Sequence, residues 1–173
     1  MFNVVFDTYF VTFTCFNWHR FLMTDACKLV VLDSFKHMVL NDGVRIYGFV
    51  IMPNHVHVIW SMAEDKLEYV RNSFTKATGH KIVKLHKMHH PEKLFLMQTN
   101  ETDRQYQCWM RRPFWKTVFY EKMFIQKLNY IHLNPVRKGW KLSENPENYY
   151  YSSAKSYLEG IPEFEFLSLW GSE

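Results

Sequence analysis

Two β-type runs with only Pro53-Asn54 between them constrain this chain more than any other feature. Val44 to Met52 and His55 to Met62 are rich in β-branched and aromatic residues, and so short a connection leaves them one arrangement, an antiparallel hairpin. The second run alternates strictly, with Val56, Val58 and Trp60 on one face and His55, His57 and Ile59 on the other. A lone hairpin is marginal in water, so other elements must cover it. Tyr9 to Phe16 reads as a further strand. After it, Cys27, Val30, Val31, Phe35, Met38 and Val39 recur at helical spacing, with Thr24 as N-cap and Asn41-Asp42-Gly43 as the stop. Leu67, Val70, Phe74 and Ala77 predict a second helix that can run on through Ile82 and Leu85. Residues 86–106 show no clear period and read as loop, which makes His86, His89 and His90 a solvated group. Cys108 to Phe119 suits an edge strand with Pro113 at its start or at a bulge. Glu121 to Leu133, with Phe124, Leu128 and Ile131 at i, i+4 and i+7, is a third helix that Pro135 ends.

The order β-α-β-β-α-β plus a helix predicts an α+β fold. Its form is a ferredoxin-like (split βαβ) antiparallel sheet with helices on one face and an added C-terminal helix carrying Tyr130. One domain over 1–173 is expected, with a core of about 8–139 and an extension over 140–173 that packs as loop and short helix. At 47% hydrophobic and 22% charged residues, disorder, collagen and coiled coil are excluded. No apolar run approaches the roughly 20 residues of a membrane helix, so no membrane partner is expected. Residues 1–7 lack the pattern of a secretory signal, and the expected location is cytoplasmic. Cys15, Cys27 and Cys108 are far apart and form no C-x-x-C, which predicts buried, reduced thiols.

Three groups could carry chemistry. His55-Val56-His57 places two imidazoles on one face of a strand, at a separation that suits one metal ion. With 9 His in the chain, roughly half an H-x-H arises by chance, and two hydrogen-bonded histidines on a half-exposed sheet are the ordinary alternative. Tyr130 and Asn134, at i and i+4, share a helical face opposite Phe124, Leu128 and Ile131, with Lys127 one turn earlier. A phenol is a poor nucleophile at neutral pH without a neighbouring charge or metal. Tyr130 therefore needs the histidines nearby, or else it is an amphipathic residue at the core rim and Asn134 a C-cap. Finally, Trp109 to Lys116 interleaves Arg111, Arg112 and Lys116 with Trp109, Phe114 and Trp115, and Arg137, Lys138 and Lys141 follow. That mixture suits phosphate contacts and base stacking, as it also suits a solvated edge strand. A net charge of +4 permits a nucleic-acid partner without requiring one.

Met52-Pro53-Asn54-His55-Val56-His57-Val58-Ile59-Trp60, joined to Tyr130-Ile131-His132-Leu133-Asn134-Pro135-Val136-Arg137-Lys138-Gly139, resembles the single-tyrosine HUH transposases. Within them it is most similar to the REP-associated tyrosine transposase branch. The resemblance spans about Thr8 to Ser153. It implies that His55, His57 and Asn134 are metal ligands for Mg²⁺ or Mn²⁺ and that Tyr130 is the nucleophile. It implies a transposase or endonuclease that cleaves and rejoins single-stranded or hairpin DNA through a 5′-phosphotyrosine, in a bacterial, nucleoid-associated setting, as a monomer or homodimer. Arg111, Arg112, Trp115, Lys116, Lys127, Arg137 and Lys138 are the expected DNA contacts. Mobile relatives usually carry Gln where this chain has Asn134, and the Trp-x-Trp-Ser-Ser pattern of the branch is replaced by Tyr149-Tyr150-Tyr151-Ser152-Ser153. The rival readings are a hairpin-binding regulator of the same fold that does not cut, and a metal-dependent phosphoesterase that uses water.

Overall fold

The computed structural model describes residues 6–171, so residues 1–5, read above as lacking a secretory signal, lie outside it. Strands β1 (Phe6–Thr14), β2 (Arg45–Met52), β3 (His55–Ala63) and β4 (Phe114–Thr117) form a four-stranded antiparallel sheet in the order β2-β3-β1-β4. The hairpin is as tight as expected, with Met52 opposite His55 and Pro53-Asn54 as the loop. Backbone bonds from Leu22 N–H to the Pro53 carbonyl (2.9 Å) and from Cys15 N–H to the Asn54 carbonyl (2.8 Å) fix the turn to the chain that follows β1.

Helix α1 (Asp25–Asn41) is capped by the Thr24 hydroxyl, which accepts from Cys27 N–H at 3.4 Å. Helix α2 (Leu67–His89) is longer than its periodicity predicted. Its buried positions, Val70, Phe74, Thr78, Ile82 and His86, fall every fourth residue, and the last is a histidine where an aliphatic residue was looked for. His86 is thus buried in a helix and not part of a solvated loop. The expected strand over Cys108 to Phe119 shrinks to β4, because residues 111–112 bend and Pro113 has no N–H to give the ladder. Cys15, Cys27 and Cys108 are free and buried. Among the described residues no helix is long and apolar enough to cross a membrane.

α1 and α2 cover the face that carries Val11, Phe13, Phe49, Val56, Val58 and Trp60, and these residues form the larger core. Helix α3 (Glu121–Leu133) lies on the other face, where Phe124, Leu128 and Ile131 pack on Phe10, Val50, Met52 and Ile59. The chain beyond α3 wraps the β2 edge: Ser153 N–H bonds to the Phe49 carbonyl (3.0 Å), Ile51 N–H to the Tyr151 carbonyl (2.8 Å), and Ser168 N–H to the Ile46 carbonyl (2.8 Å). Among its described residues this tail contains a short α-helix, α4 (Ala154–Glu159), and it closes an edge that would otherwise expose its hydrogen-bonding groups.

Two contacts set how closely α3 approaches the sheet. Gly48, at a register shift in β2, leaves room for Leu128: a Cβ built there would lie 2.5 Å from the Leu128 Cδ1 atom. Leu128 is buried and has little freedom to yield. Gly48→Ala is therefore expected to cost about 1–2 kcal/mol in denaturant unfolding and to shift α3 outward, with Gly48→Val worse. The second contact is His132, whose Nε2 sits 2.9 Å from the Ser153 hydroxyl, which in turn accepts from Phe49 N–H at 3.0 Å. Burial lowers the His132 pKa from 6.5 to about 4. A folded value below the unfolded one means its contribution is whole above about pH 6.5 and is lost as pH falls from there towards 4. Stability should drop over that window by on the order of 2–3 kcal/mol from this group, and urea midpoints of His132→Gln should be flatter there.

Candidate active site

The alternation of β3 puts His55 and His57 on the α3 face of the sheet, and both are buried. Their rings lie 4.6 Å apart, centroid to centroid. α3 carries Tyr130 to the same place: its ring is 5.2 Å from that of His57 and remains about a third exposed (36%). Asn134, at the end of α3, is buried and close enough to His55 to favour its protonated form, against the larger effect of burial. The H-x-H strand and the tyrosine stripe, far apart in sequence, therefore meet on one face of one chain.

Each histidine is oriented through Nδ1. His57 Nδ1 is 2.8 Å from the Thr12 hydroxyl, directly opposite in the β1–β3 register, and His55 Nδ1 is 2.6 Å from Asn54 Oδ1. Because an amide oxygen only accepts, His55 Nδ1 carries the proton and Nε2 keeps its lone pair. Burial brings the His55 pKa down to about 4. Burial first, then repulsion from a protonated His55 and from the charges of Arg137 and Lys127, holds His57 well below the usual imidazole range. Both rings are neutral near pH 7, the form that binds metals. The Nε2 of His57 is buried with no hydrogen-bond partner. An orphaned imidazole nitrogen beside a second neutral imidazole and an amide oxygen fits a divalent cation with open positions. Among the described residues no group of three or more His, Cys, Asp or Glu side chains could hold a metal, so a cation here would depend on Asn134 as well as the histidines.

Phe10 is the hub that sequence reasoning missed. It stacks on His57 (5.4 Å), meets Tyr130 edge-on (6.0 Å) and contacts Phe114 (6.3 Å). The Lys127 ammonium sits 4.8 Å over its ring, and the Arg137 guanidinium lies 4.3 Å over Tyr130. Trp140 stands 5.9 Å from His55 and is itself covered by Arg20 at 5.2 Å. None of Thr12, Asn54, Phe10, Trp140 and Arg20 has a local signal, since each is brought in by cross-strand register or by the loops.

The expected DNA contacts divide. Lys116 is opposite Phe10 in the β1–β4 register and so faces the site; its charge, after burial, lowers the pKa of Lys127. Lys127 and Arg137 border Tyr130, and Lys138 is exposed beside them. Trp115 belongs to the other face, packed on Tyr9 (5.6 Å) and Trp60 (6.1 Å), which is a correction: alternation along β4 turns it into the core and turns the exposed Phe114 towards the site instead. Arg111 is paired with Glu101 (2.7 Å) and Asp103 (3.2 Å) on the rim of a groove against α2, and Arg112 is exposed next to it.

No protein-family model matches the chain, and no curated protein matches it. Among solved structures it is similar to a REP-associated tyrosine transposase bound to a REP hairpin, with 16% identity, a TM-score of 0.55, and coverage of 94% of this chain and 86% of that one. It is also similar to a protein assigned as a transposase from Deinococcus radiodurans R1, with 18% identity, a TM-score of 0.45, and coverage of 76% of this chain and 93% of that one. At these identities the likeness to the first structure is one of fold, and it agrees with the α+β topology described above.

Proposed function

We propose that this protein is a DNA strand transferase of the single-tyrosine HUH kind, a transposase or endonuclease acting on single-stranded, hairpin-bearing DNA. The observation that carries the reading is the orphaned Nε2 of buried His57, with the Tyr130 ring 5.2 Å from its imidazole. The fold shared with a transposase bound to a REP hairpin supports it.

In this reading a scissile phosphate sits between His57 and Tyr130. Lys127, Arg137 and Lys116 hold the flanking phosphates and offset their charge. The Tyr130 oxygen attacks phosphorus in line, a Tyr130–phosphorus bond forms, and the bond to the 3′-oxygen breaks. The phenolic proton leaves to solvent and the departing 3′-oxygen is protonated, so the 5′-phosphate remains on the protein. The reverse step, with another strand's 3′-hydroxyl as attacker, rejoins DNA without an external energy source. His55, His57 and Asn134 would hold a Mg²⁺ or Mn²⁺ ion, which would polarise the phosphate oxygens. Asn54 keeps His55 in the tautomer that the ion requires, and Thr12 orients the ring of His57. The tyrosine and both histidines belong to one chain, so the reading needs no second copy to complete the site.

The test is incubation of the protein with end-labelled single-stranded hairpin DNA and Mn²⁺, followed by a denaturing gel. A covalent protein–DNA band is expected. Cleaved DNA with no such band would assign the attack to water, and binding with neither product would make the protein a hairpin-binding regulator.

A further inference from the structure

Helix α2 carries a charge that strand transfer as described does not use. From Tyr69 to His89 it holds Arg71, Lys76, Lys81, Lys84 and Lys87 and no carboxylate, so this one helix outweighs the net charge of +4 of the whole chain. Lys81, Lys84 and Lys87 follow one another at i, i+3, a like-charge spacing that works against the helix. A solvated helix ordinarily mixes its signs, and a run of one sign draws in an anion.

Three of these lysines border a groove. Helix α2 and residues 103–111 enclose about 920 Å³, with Lys76, His80, Lys84 and Lys87 on the helical wall and Arg104 and Arg111 opposite. The arginine wall is already neutralised, Arg111 by Glu101 and Asp103 and Arg104 by Asp103. The lysine wall is not: among the described residues no carboxylate comes within ion-pair distance of Lys76, Lys84 or Lys87, and all three are exposed. Gly79 keeps the floor open above Trp109, whose ring a Cβ there would touch at 3.5 Å. From Lys76 to Lys87 the helix rises about 16 Å, the length of four or five nucleotides of a stacked strand. The volume spread over that length leaves a section of about 60 Å². That passes one sugar–phosphate chain and not a duplex, whose major groove alone is about 12 Å wide.

The groove and Tyr130 lie on opposite faces of the sheet, joined by a short positive path. Trp109 packs under α2 on Phe13 (6.2 Å) and Phe74 (5.9 Å), and Met110 N–H bonds to the Thr14 carbonyl (2.8 Å), with Thr14 opposite His55 in the β1–β3 register. Three residues beyond Arg111, a reach of no more than about 10 Å, the exposed Phe114 stands opposite Thr12, the partner of His57. Arg112 and Lys116 are exposed along this edge, and no carboxylate occurs from Arg104 to Tyr120.

We propose that the α2 groove holds the backbone of a single-stranded arm of the same DNA whose scissile phosphate lies at Tyr130, an inference that rests on the strand-transfer reading. The arm leaves the site across Phe114 and Lys116, passes Arg112 at the sheet edge and follows the lysine wall of α2. Its contacts are to phosphates, so the track is indifferent to sequence and reads the length of unpaired DNA beside the hairpin. A hairpin set in single-stranded DNA is thereby held more tightly than the same hairpin flanked by duplex.

The test compares a hairpin with single-stranded arms of about ten nucleotides, within the range one such groove covers, with the same hairpin trimmed to the shortest arms that still give the covalent band. The variant Lys76→Gln/Lys84→Gln/Lys87→Gln removes three exposed charges and keeps good helix formers. In the unaltered protein the long arms should raise affinity about tenfold or more at about 0.1 M salt. In the variant that gain should vanish, and the slope of log affinity against log salt for the long-armed hairpin should become shallower by about 2. Affinity for the trimmed hairpin, and its yield of covalent band, should not change. Lys81→Gln, exposed on the same helix but not on the groove wall, should alter neither DNA. An equal loss for both DNAs, an equal loss per charge in Lys81→Gln, or a longer duplex stem that replaces the arms without loss of affinity would overturn the single-strand track and leave the Tyr130 adduct, hence the strand-transfer reading, untouched. Absence of both adduct and hairpin binding in the unaltered protein would overturn the two together.

Discussion

With Tyr130→Phe, the covalent protein–DNA band should vanish, a loss of about a thousandfold or more, while the hairpin is still bound. The substitution removes one oxygen and little else. The contacts that place the ring, with His57 at 5.2 Å, Phe10 at 6.0 Å and Arg137 at 4.3 Å over its face, are all made by the aromatic carbon frame that Phe retains. The ring edge is exposed, so stability should change by no more than about 0.5 kcal/mol. Fold, binding surface and cation site therefore persist, and the assay isolates the nucleophile. An adduct of undiminished yield in this variant would remove Tyr130 from the chemistry. Lys127→Ala and Arg137→Ala serve as comparators, since loss of a phosphate contact weakens binding in a salt-dependent way without abolishing the covalent step.

His57→Ala should likewise reduce cleavage by about a thousandfold, and the loss should not be recovered at high Mn²⁺. The reason is geometric: the variant removes the buried imidazole nitrogen beside Tyr130 that lacks a protein partner and leaves Thr12 without its 2.8 Å contact. Hairpin affinity measured with chelator present should change little, because Lys116, Lys127 and Arg137 remain. Equal loss of cleavage and binding would instead make His57 part of the DNA surface. The cavity left beneath Phe10 weakens packing, so His57→Asn is the companion variant, preserving bulk and polarity. Thr12→Val should fall between, with apparent cation affinity lower by about 10–100-fold and the maximal rate largely restored at saturating Mn²⁺, as expected of a group that only orients a ligand.

Those two residues were legible in the sequence because each sits in a local pattern. Period-two alternation after Pro53-Asn54 sends His55 and His57 to one face, and the i, i+4 spacing on a helix with an apolar back aligns Tyr130 with Asn134. What brings the two motifs together has no such period. Thr12 reaches His57 through a register between strands separated by a whole helix, and α3 sits close to β2 because Gly48 lacks a side chain in the path of Leu128. Alternation also betrays Trp115: the same rule that places the histidines turns it inward once β4 pairs with β1, and that pairing could not be read from residues 114–117 alone. The end of α2 was hidden by chemistry: the buried stripe continues through His86, whose ring packs where an aliphatic side chain would and gives one of its two nitrogens to the Phe21 carbonyl.

The sheet also works as a partition. The packing that gives the domain most of its cohesion, built from Phe13, Phe35, Phe49, Trp60 and Phe74 under α1 and α2, shares few side chains with the face that holds His57 and Tyr130. Substitutions accumulating in the first layer are free to trade one apolar shape for another with the reactive groups undisturbed. Those in the small cluster of Phe10, Val50, Met52, Ile59, Phe124, Leu128 and Ile131 answer to two masters, since the same atoms that bury α3 also aim its tyrosine. Lineages of such a domain should drift quickly beneath α1 and α2 and slowly beneath α3, and a laboratory search for heat tolerance should find its neutral gains in the former.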